Sequence, residues 1–517
     1  MSSKPIRIET ILGGQAPSEF FASKGQFQSS IGIEPDFPKD DSSIKTSGLL
    51  RPTAMEKFSS TEITGVPLWF VTNPKTTNTY LYANDGKVHT IASNLTMGTA
   101  LNGGSALSTS SGNGADYYDN YAYFIKNTDV ARYGPLNGSP SLTQDYWTNA
   151  LAKTALVDTT YPSIRGVEIP NHPTHRHTDN KLYIGDVVGN QGVLHFIKTT
   201  KSSVEGDTND GSTYNALDFP FGYYPTSIET YGNDLAVALI EGVDTTIKQK
   251  RAKISFWDTT SDSYQRITDV EFPDPLITAI KNINGILYVW SGNASGGVRI
   301  SRFVGGYTYE EVFYNEEGVP PFDGAVDHEM NKILWGGYVT DPEAAAVVFG
   351  LGSKKRALGN GLFTPFKATS AGANQNVTAV KFLEQANNSR LRPIIGWSDD
   401  SAKGLDKIST TYGVSVWRSE VFRVGAPFTI KKIRIPLAQA VAANMTITPK
   451  IYIDDASSSE TLTVINNTNY TASERNIVLQ GNGIDGKHNF FLELRWSGTV
   501  LLTVGLPITI EMDIEAD

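Results

Sequence analysis

The chain has 517 residues, contains no cysteine and carries a formal net charge of −10 at pH 7. The absence of cysteine excludes disulfides, thiolate catalysis and thiolate metal sites, and the acidic balance argues against nonspecific binding of nucleic acid, which depends on clustered Lys and Arg. We expect neither a signal segment nor a membrane span, because the first residues are polar and no apolar run approaches the roughly 20 residues that cross a bilayer.

Residues 1–63 are predicted to form an N-terminal arm without the repeats that follow it. Residues 6–11 alternate apolar and polar side chains, and Phe20, Phe21 and Phe27 follow in an irregular sequence. Retained aromatic residues favour docking over a free tail. Two interpretations stay open: the arm docks on another protein, or it packs on its own propeller, where it could supply the strand that closes the ring of repeats.

Residues 64–410 are predicted to form a β-propeller of about seven blades. In the clearest unit, 284–290 followed by 297–303, an Asn-Gly turn precedes two short apolar runs. Such turns join hairpin strands, and short runs rich in β-branched and aromatic residues indicate strands. Asparagines anchor similar units at positions 78, 120, 180, 233, 284, 331 and 388. Units of roughly 40–50 residues with about four strands are typical of propeller blades, although hairpins in large sandwiches would give a related pattern.

Three longer insertions interrupt the repeats, at residues 136–170, 201–224 and 305–322. Inserted loops on one face of a propeller are usual places for recognition. Helical patterns are nearly absent, and only the short segments 144–152 and 437–443 are compatible with helices. The predicted fold class is therefore all-β.

Residues 411–517 are predicted to form an antiparallel β-sandwich of the jelly-roll type. Residues 489–496 and 508–514 alternate apolar and polar side chains, as strands with one buried face require. The segment 428–435 changes parity between Ile430 and Ile433, which predicts a β-bulge. Further apolar runs bring the total to seven strands, with an eighth at 500–504.

His172, His175 and His177 form the densest cluster of potential metal ligands. On a strand, His175 and His177 would point to the same side, with the carboxylate of Asp179 nearby. Arg176 between them opposes cation binding, and a polar strand entry explains the same pattern. The segment 207–218 imitates a calcium loop, but its glycine is displaced and no helical pattern flanks it, so we interpret it as a solvated insertion.

Carboxylates occur at the ends of the predicted blades, where propeller glycoside hydrolases need a pair across the sugar bond. These residues are Asp119, Asp179, Asp186, Asp327 and Glu329. Nothing in their spacing brings a pair together, and nucleophile-elbow and phosphate-loop motifs are absent. The residues therefore identify no catalytic pair and no cofactor site, and a hydrolase stays open as an alternative.

Segments 47–52, 182–186, 422–430 and 451–455 resemble bacteriophage tail proteins of the β-propeller type, including nozzle proteins. The resemblance extends loosely over the whole chain. It implies a non-enzymatic structural component of the virion tail, without a cofactor, that is synthesised in the host cytoplasm and assembles in several copies. The implied partners are copies of itself and neighbouring tail proteins, with genomic DNA passing along an acidic wall without sequence-specific binding.

Two alternatives to a structural tail protein stay open. One is a receptor-binding module that holds host surface glycans on its insertions. The other is a glycan hydrolase with carboxylates at the propeller mouth. Glycan binding by the isolated protein would distinguish the first alternative, and loss of turnover on Asp-to-Asn changes would identify the second.

Overall fold

The computed structural model describes residues 2–11, 13–16, 26–36, 48–58, 63–73, 78–107, 114–126, 128–147, 151, 163–170, 172–198, 216–242, 251–316, 318–352, 361–385, 388–438, 445–454, 459–461, 463–464, 475–498, 501 and 503–515. Within these ranges the regular structure consists of β-strands and three short 3₁₀ helices, Asn102–Gly104, Arg266–Thr268 and Asp323–Ala325. None of the described helices is long and apolar enough to span a membrane.

The first part of the chain contributes seven short strands. They are β1 (Ser2–Ile8), β2 (Gly14–Gln15), β3 (Gln26–Phe27), β4 (Ser29–Ile31), β5 (Glu34–Asp36), β6 (Gly48–Leu50) and β7 (Met55–Lys57).

The middle of the chain forms four-stranded antiparallel sheets in succession and one two-stranded sheet at residues 163–168. The strands are β8 (Pro67–Thr72), β9 (Thr79–Ala83), β10 (Val88–Ile91), β11 (Met97–Ala100), β12 (Gly114–Tyr118), β13 (Tyr121–Ile125), β14 (Val130–Gly134), β15 (Ser141–Trp147), β16 (Ser163–Ile164), β17 (Val167–Glu168), β18 (Thr174–Arg176), β19 (Lys181–Val188), β20 (Gln191–Lys198), β21 (Leu217–Phe221), β22 (Tyr223–Tyr231), β23 (Asp234–Glu241), β24 (Lys253–Trp257), β25 (Val270–Glu271), β26 (Leu276–Ile283), β27 (Ile286–Gly292), β28 (Val298–Gly305), β29 (Thr308–Asn315), β30 (Val326–Glu329), β31 (Lys332–Val339), β32 (Ala345–Leu351), β33 (Leu362–Lys367), β34 (Asn376–Gln385), β35 (Asn388–Ser398) and β36 (Lys403–Ile408).

The last part of the chain adds ten strands among its described residues. They are β37 (Ser415–Arg418), β38 (Phe422–Arg423), β39 (Phe428–Pro436), β40 (Thr446–Ile453), β41 (Glu460–Thr461), β42 (Thr463–Val464), β43 (Asn476–Gly486), β44 (Asn489–Ser497), β45 (Thr503–Gly505) and β46 (Ile508–Ile514).

Seven four-stranded sheets are formed by the described strands, and they are the blades of a β-propeller. Their strand orders are β11-β10-β9-β8, β12-β13-β14-β15, β18-β19-β20-β21, β22-β23-β24-β25, β26-β27-β28-β29, β30-β31-β32-β33 and β34-β35-β36-β7. The first strand of each blade packs beside the first strand of the next, from β8 through β12, β18, β22, β26 and β30 to β34, which returns to β8. The first strands therefore line a closed ring, and the predicted propeller is confirmed.

The hairpin turns follow the asparagine signal that marks the repeats. Asn120, Asn180 and Asn284 have positive φ angles of 67°, 62° and 55°, and Gly285 follows Asn284 with φ of 85°. Asparagine and glycine adopt this left-handed conformation at low cost, which explains why they occupy the turns. In the sixth blade the positive φ falls instead on Met330, one residue before the anchoring asparagine.

The N-terminal segment supplies the closing strand of the seventh blade. Strand β7 lies beside β36 in that sheet, and the amide of Phe58 donates to the carbonyl of Leu405 at 2.9 Å. The predicted ring-closing strand is therefore present at β7, whereas the prediction that the whole arm packs on the propeller is wrong for β1, β4, β5 and β6, which pair with one another or with strands of the last part of the chain. The segment 144–152, predicted as compatible with a helix, begins instead in β15, because residues 141–147 pair with β14 as the outer strand of the second blade.

The chain divides into two compact units. The propeller unit comprises Lys57–Tyr338 and Ala368–Lys407, and the sandwich unit comprises Met1–Glu56, Val339–Lys367 and Ile408–Asp517. The sequence-based division into 1–63, 64–410 and 411–517 stays a prediction. A sequence pattern could not assign residues 1–56 to the sandwich, because the partners of β1 and β4 lie more than 350 residues away.

The sandwich unit contains strands from both ends of the chain. Its larger sheets have the orders β1-β46-β39-β43-β42 and β4-β37-β44-β40-β41, with β38 also paired to β44, and smaller sheets are formed by β45-β6-β5 and by the parallel pair β2-β3. Strand β1 pairs with β46 along its whole length, from Ser2 opposite Ile514 to Ile8 opposite Ile508. The register of β39 shifts between Ile430 and Lys432, so the predicted bulge is confirmed.

The core of the sandwich unit follows the predicted alternation with one exception. Phe490, Leu492, Leu494 and Trp496 on β44 are fully buried. Glu493, predicted to face water, is also buried, because its carboxylate accepts a charged hydrogen bond of 2.8 Å from Arg418. An ion pair thus replaces water as the partner of this carboxylate.

Candidate functional site

A cavity of about 360 Å³ lies inside the ring of first strands of the propeller unit. Its walls come from different blades, which bring together residues that are far apart in the chain. The polar and aromatic residues that matter below are Trp69, Asp116, His175, Lys281, Asp323 and Lys381. Its volume is at the small end of the range for small-molecule sites, roughly 300–1,000 Å³.

The charged side chains of this cavity occupy equivalent places in the repeats. Asp116 lies on β12, His175 on β18, Lys281 on β26 and Lys381 on β34, each on the first strand of its blade. Asp323 belongs to the 3₁₀ helix before β30, which contacts β8, β26 and β34 and therefore lies inside the ring. The arrangement of the blades around the ring thus brings together side chains that no local sequence motif connects.

The 3₁₀ helix at Asp323–Ala325 packs closely against the first blade at a glycine. A Cβ atom on Gly324 would lie 1.9 Å from the carbonyl oxygen of Leu68. Only glycine permits this approach, so Gly324 allows Asp323 to be held inside the ring.

Lys281 and Asp323 form the central ion pair of the cavity. The Lys281 ammonium lies 3.2 Å from the Asp323 carboxylate. The hydroxyl of Ser227 donates to the same carboxylate at 2.7 Å and accepts from the amide of Ile280 at 3.0 Å. Asp323 and Ser227 are buried, so this network fixes the carboxylate in place without contact with bulk water.

His175 is held by the neighbouring fourth blade. Its Nε2 lies 3.2 Å from the Glu229 carboxylate and 3.0 Å from the Thr230 hydroxyl. The same hydroxyl lies 3.0 Å from Nδ1 of His177. Because a hydroxyl can donate one hydrogen bond and accept others, Thr230 joins the two imidazoles.

Asp116 is held by the backbone. One carboxylate oxygen accepts from the amide of Tyr117 at 2.7 Å, and the other accepts from the amide of Arg176 at 2.9 Å. An ionised carboxylate has about four lone-pair positions. Two amide donors therefore orient Asp116 and leave it with capacity to accept further hydrogen bonds.

Burial shifts the titration of the cavity groups. Desolvation raises the pKa of Asp116, Glu229 and Asp323. It lowers the pKa of His175 to about 4, against the opposing attraction of Asp116. Desolvation also acts to lower the pKa of Lys281, but the carboxylates of Asp323, Glu229 and Asp116 outweigh it and the pKa is raised. At pH 7 the imidazole of His175 is therefore neutral and Lys281 is protonated.

The three histidines predicted from the sequence do not converge on one point. His172 is buried, with Nδ1 at 2.9 Å from the carbonyl of Gly185 and 3.5 Å from the carboxylate of Asp186, whereas His175 and His177 meet at Thr230. His172, which is separated from the other two histidines by Pro173, does not approach His175 or His177. Over the described ranges no group of three or more His, Asp or Glu side chains is arranged to hold a metal ion.

The carboxylates predicted from the blade ends lie in separate places. Asp119 is in the β12–β13 turn, Asp179 accepts from the hydroxyl of Tyr183 at 2.7 Å, and Asp186 is buried 3.2 Å from His195. Asp327 and Glu329 lie on β30, and Asp327 forms an ion pair of 3.4 Å with Lys381 of the cavity. Residues 207–211 of the calcium-like segment lie outside the described residues.

Sequence reasoning missed most of the cavity residues. Asp116, Glu229 and Lys281 lie three to four positions before the anchoring asparagines 120, 233 and 284. The available signal was a charged residue that recurs on the first strand, three to four positions before the anchoring asparagine. This signal is weak beside the asparagine turns and the dense histidine cluster, because single charged residues are common in strands that have one exposed face.

No family model and no curated protein matches the chain. Among solved structures, a streptogramin B lyase is 10% identical with a TM-score of 0.39, covering 69% of this chain and 97% of its own. A catalytically inactive virginiamycin B lyase from Staphylococcus aureus with quinupristin is 9% identical, with a TM-score of 0.39 and coverage of 68% and 98%. The WD40 domain of Neurospora crassa Pan2 is 8% identical, with a TM-score of 0.38 and coverage of 69% and 95%. Similarity at this level says nothing about activity.

Proposed function

We propose that this chain is a structural, non-enzymatic component of a bacteriophage virion tail, present in several copies that contact one another. The observation that carries the proposal beyond the sequence resemblance is a group of exposed apolar side chains on the propeller unit. We call this group the outer patch and define it as Ile267, Val304 and Tyr307, which are 89%, 56% and 49% exposed.

The members of the outer patch lie on neighbouring segments of the fourth and fifth blades. The ring of Tyr307 lies 5.1 Å from the ring of Phe256, and the hydroxyl of Thr268, next to Ile267, donates to the carbonyl of Phe256 at 2.7 Å. Val304 precedes the same β28–β29 turn that contains Tyr307. Both segments therefore meet at Phe256.

An exposed apolar group of this kind favours contact with another protein. Apolar patches on soluble proteins mark interaction sites when their members are contiguous, and aromatic residues are enriched at the centres of interfaces. In the proposed tail, the occupant of the outer patch is a neighbouring copy of this chain. Because the 3₁₀ helix Asp323–Ala325 lies inside the ring and contacts the first strands of three blades, any DNA would run between copies rather than through one propeller.

The proposal is tested by replacing Ile267 with aspartate. We expect wild-type protein to form higher-order species with increasing concentration in sedimentation velocity, and Ile267→Asp to shift them toward monomer, because an unpaired charge at an interface is costly. Val414→Asp is the matched control, since Val414 is 50% exposed in the sandwich unit and outside the patch. Assembly unaffected by Ile267→Asp would remove the support from the patch, and absence of the chain from purified tailed particles would refute the tail assignment.

A further inference from the structure

We propose that the central cavity of the propeller binds one ring of a neutral sugar. The inference is independent of the virion assignment, because it depends only on the groups inside the ring of first strands. A cavity of about 360 Å³ lies at the lower end of ligand-site volumes. This size suits a single ring rather than an oligosaccharide.

The charges of the cavity favour a neutral ligand over an ion. Lys281 is paired with Asp323 at 3.2 Å, and Lys381 is paired with Asp327 at 3.4 Å. An anion held by Lys281 or Lys381 would have to displace the carboxylate paired with that lysine, and a cation held by Asp116 would place a second positive charge in the cavity that contains Lys281. Both changes are costly in a desolvated site. A neutral ligand leaves both pairs intact.

The hydrogen-bonding groups match vicinal hydroxyls. Each sugar hydroxyl donates one hydrogen bond and accepts others, so it requires acceptors and donors side by side. Asp116 supplies a carboxylate that two backbone amides orient at 2.7 and 2.9 Å, with acceptor capacity to spare. Lys381, whose side chain is 30% exposed, supplies donors on another wall of the same cavity.

An apolar wall completes the site. Trp69, Phe70 and Tyr117 line the cavity together with Asp116 and Lys381. Aromatic surfaces carry large apolar area in rigid side chains, so they suit the apolar C–H face of a sugar ring. The combination of aromatic wall, oriented carboxylate and ammonium distinguishes this cavity from a cluster of acidic residues alone.

The test uses the full chain and saturation-transfer NMR with glucose, galactose, mannose and N-acetylglucosamine, each added separately. Glycine, a zwitterion, and acetate, an anion, serve as smaller probes that carry charged groups. We expect at least one sugar to bind and both charged probes to fail. Asp116→Asn should weaken sugar binding about tenfold or more, because the amide has one acceptor oxygen in place of the two carboxylate oxygens and cannot keep both backbone amide bonds and a bond to the sugar.

The matched control is Asp258→Asn. Asp258 also accepts from backbone amides, those of Thr260 at 2.9 Å and Ser261 at 2.7 Å, but it lies in an exposed turn of the same unit. Its replacement should leave sugar affinity unchanged. Lys381→Met provides a second cavity variant if Asp116→Asn fails to fold. Binding of glycine or acetate in place of sugars, no binding of any sugar at tens of millimolar, or equal affinity in folded cavity variants and wild type would each overturn the proposal.

Discussion

His175 lies with its Nε2 between the Glu229 carboxylate and the Thr230 hydroxyl, and its side chain is 20% exposed. Burial lowers the pKa of this imidazole to about 4, from an ordinary value of 6.5. We expect the His175 ring to stay neutral as the pH falls from 7 to 5. The position of its Hε1 resonance in NMR titrations would show this. A midpoint near 6.5, as in the urea-unfolded chain, would contradict the description of the cavity.

The lowered pKa of His175 makes the free energy of unfolding decrease as the pH falls. Between about pH 6.5 and pH 4 the unfolded chain binds a proton at position 175 that the folded chain does not, so wild-type protein loses stability as the pH falls. In His175→Gln this contribution is absent in both states. The unfolding free energy of wild type should therefore fall relative to the variant by up to roughly 3 kcal/mol across this window. Denaturant titrations at several pH values would measure the difference, and a constant difference would contradict it.

A second prediction at residue scale compares two threonines at bulges of first strands. The hydroxyl of Thr226 donates to the carbonyl of Ile277, whereas the hydroxyl of Thr378 is buried without a hydrogen-bond partner among the described residues. Thr226→Val should lower the unfolding free energy by about 1–2 kcal/mol, because it leaves a buried carbonyl short of a donor. Thr378→Val should be neutral or stabilising. Equal losses in denaturant unfolding would show that the hydroxyls have equivalent surroundings.

Residue-scale prediction from the sequence reached only part of the cavity. The dense histidine cluster drew attention to His175, and the structure places it inside the ring. Asp116, Lys281 and Asp323 were not identified, because their association requires the ring of blades to be known in three dimensions. Charge alone does not distinguish Lys281 from a solvated lysine, and only its ion pair with Asp323 does so.

Strand β1 gives a prediction at the scale of elements, since it adds an edge strand from the start of the chain to the sheet that contains its end. Ile8 is buried in the core of the sandwich unit, and its neighbour Arg7 is exposed. Ile8→Ala should lower the unfolding free energy by about 2–5 kcal/mol. Arg7→Ala, in the same strand, should change it by less than about 0.5 kcal/mol.

Thermal and denaturant unfolding of the two variants would decide whether β1 is part of the folded sandwich. The two substitutions alter opposite faces of one strand, so a general effect on the N-terminus would change both equally. If Ile8→Ala has no effect, residues 2–8 are not packed in the sandwich core. Deletion of residues 1–8 should then be harmless as well.

Element prediction from sequence succeeded where the signal is local. The Asn284-Gly285 turn and the parity change at Ile430 and Ile433 each lie within a few residues, and both features are present. The pairing of β1 with β46 was not predictable, because alternation at residues 6–11 indicates a strand but carries no information about its partner. Residues 144–147 were misread as helical because their polar pattern does not distinguish an outer strand.

At the scale of the whole molecule, the seven repeats were sufficient to predict a propeller. The spacing of the turns sets the number of blades, and the return of β34 to β8 closes the ring. The position of the chain in a larger particle cannot be predicted in the same way. It depends on surface residues such as those of the outer patch. Ile267 and Val304 are exposed, so they are not among the buried residues that produce the repeat pattern.

The tail assignment also makes a prediction about charge. A net charge of −10 means that copies repel one another at low ionic strength unless their contacts are apolar or their charges are spread away from the contact. We therefore expect assembly to strengthen as salt rises from about 50 to 300 mM, because screening reduces the repulsion. Sedimentation velocity at a fixed protein concentration would measure this. Weaker assembly at high salt would indicate that ion pairs, rather than the outer patch, hold the copies together.

Cryo-electron microscopy of tailed particles purified from cultures that produce the chain, with the isolated protein imaged in parallel, tests the central proposal most directly. We predict a ring of several copies around the tail axis, with the outer patch at contacts between copies and with DNA, where present, outside the individual propellers. A chain that is missing from the particles and remains a monomer at all concentrations would contradict the proposal. In that case the central cavity would become the principal functional site.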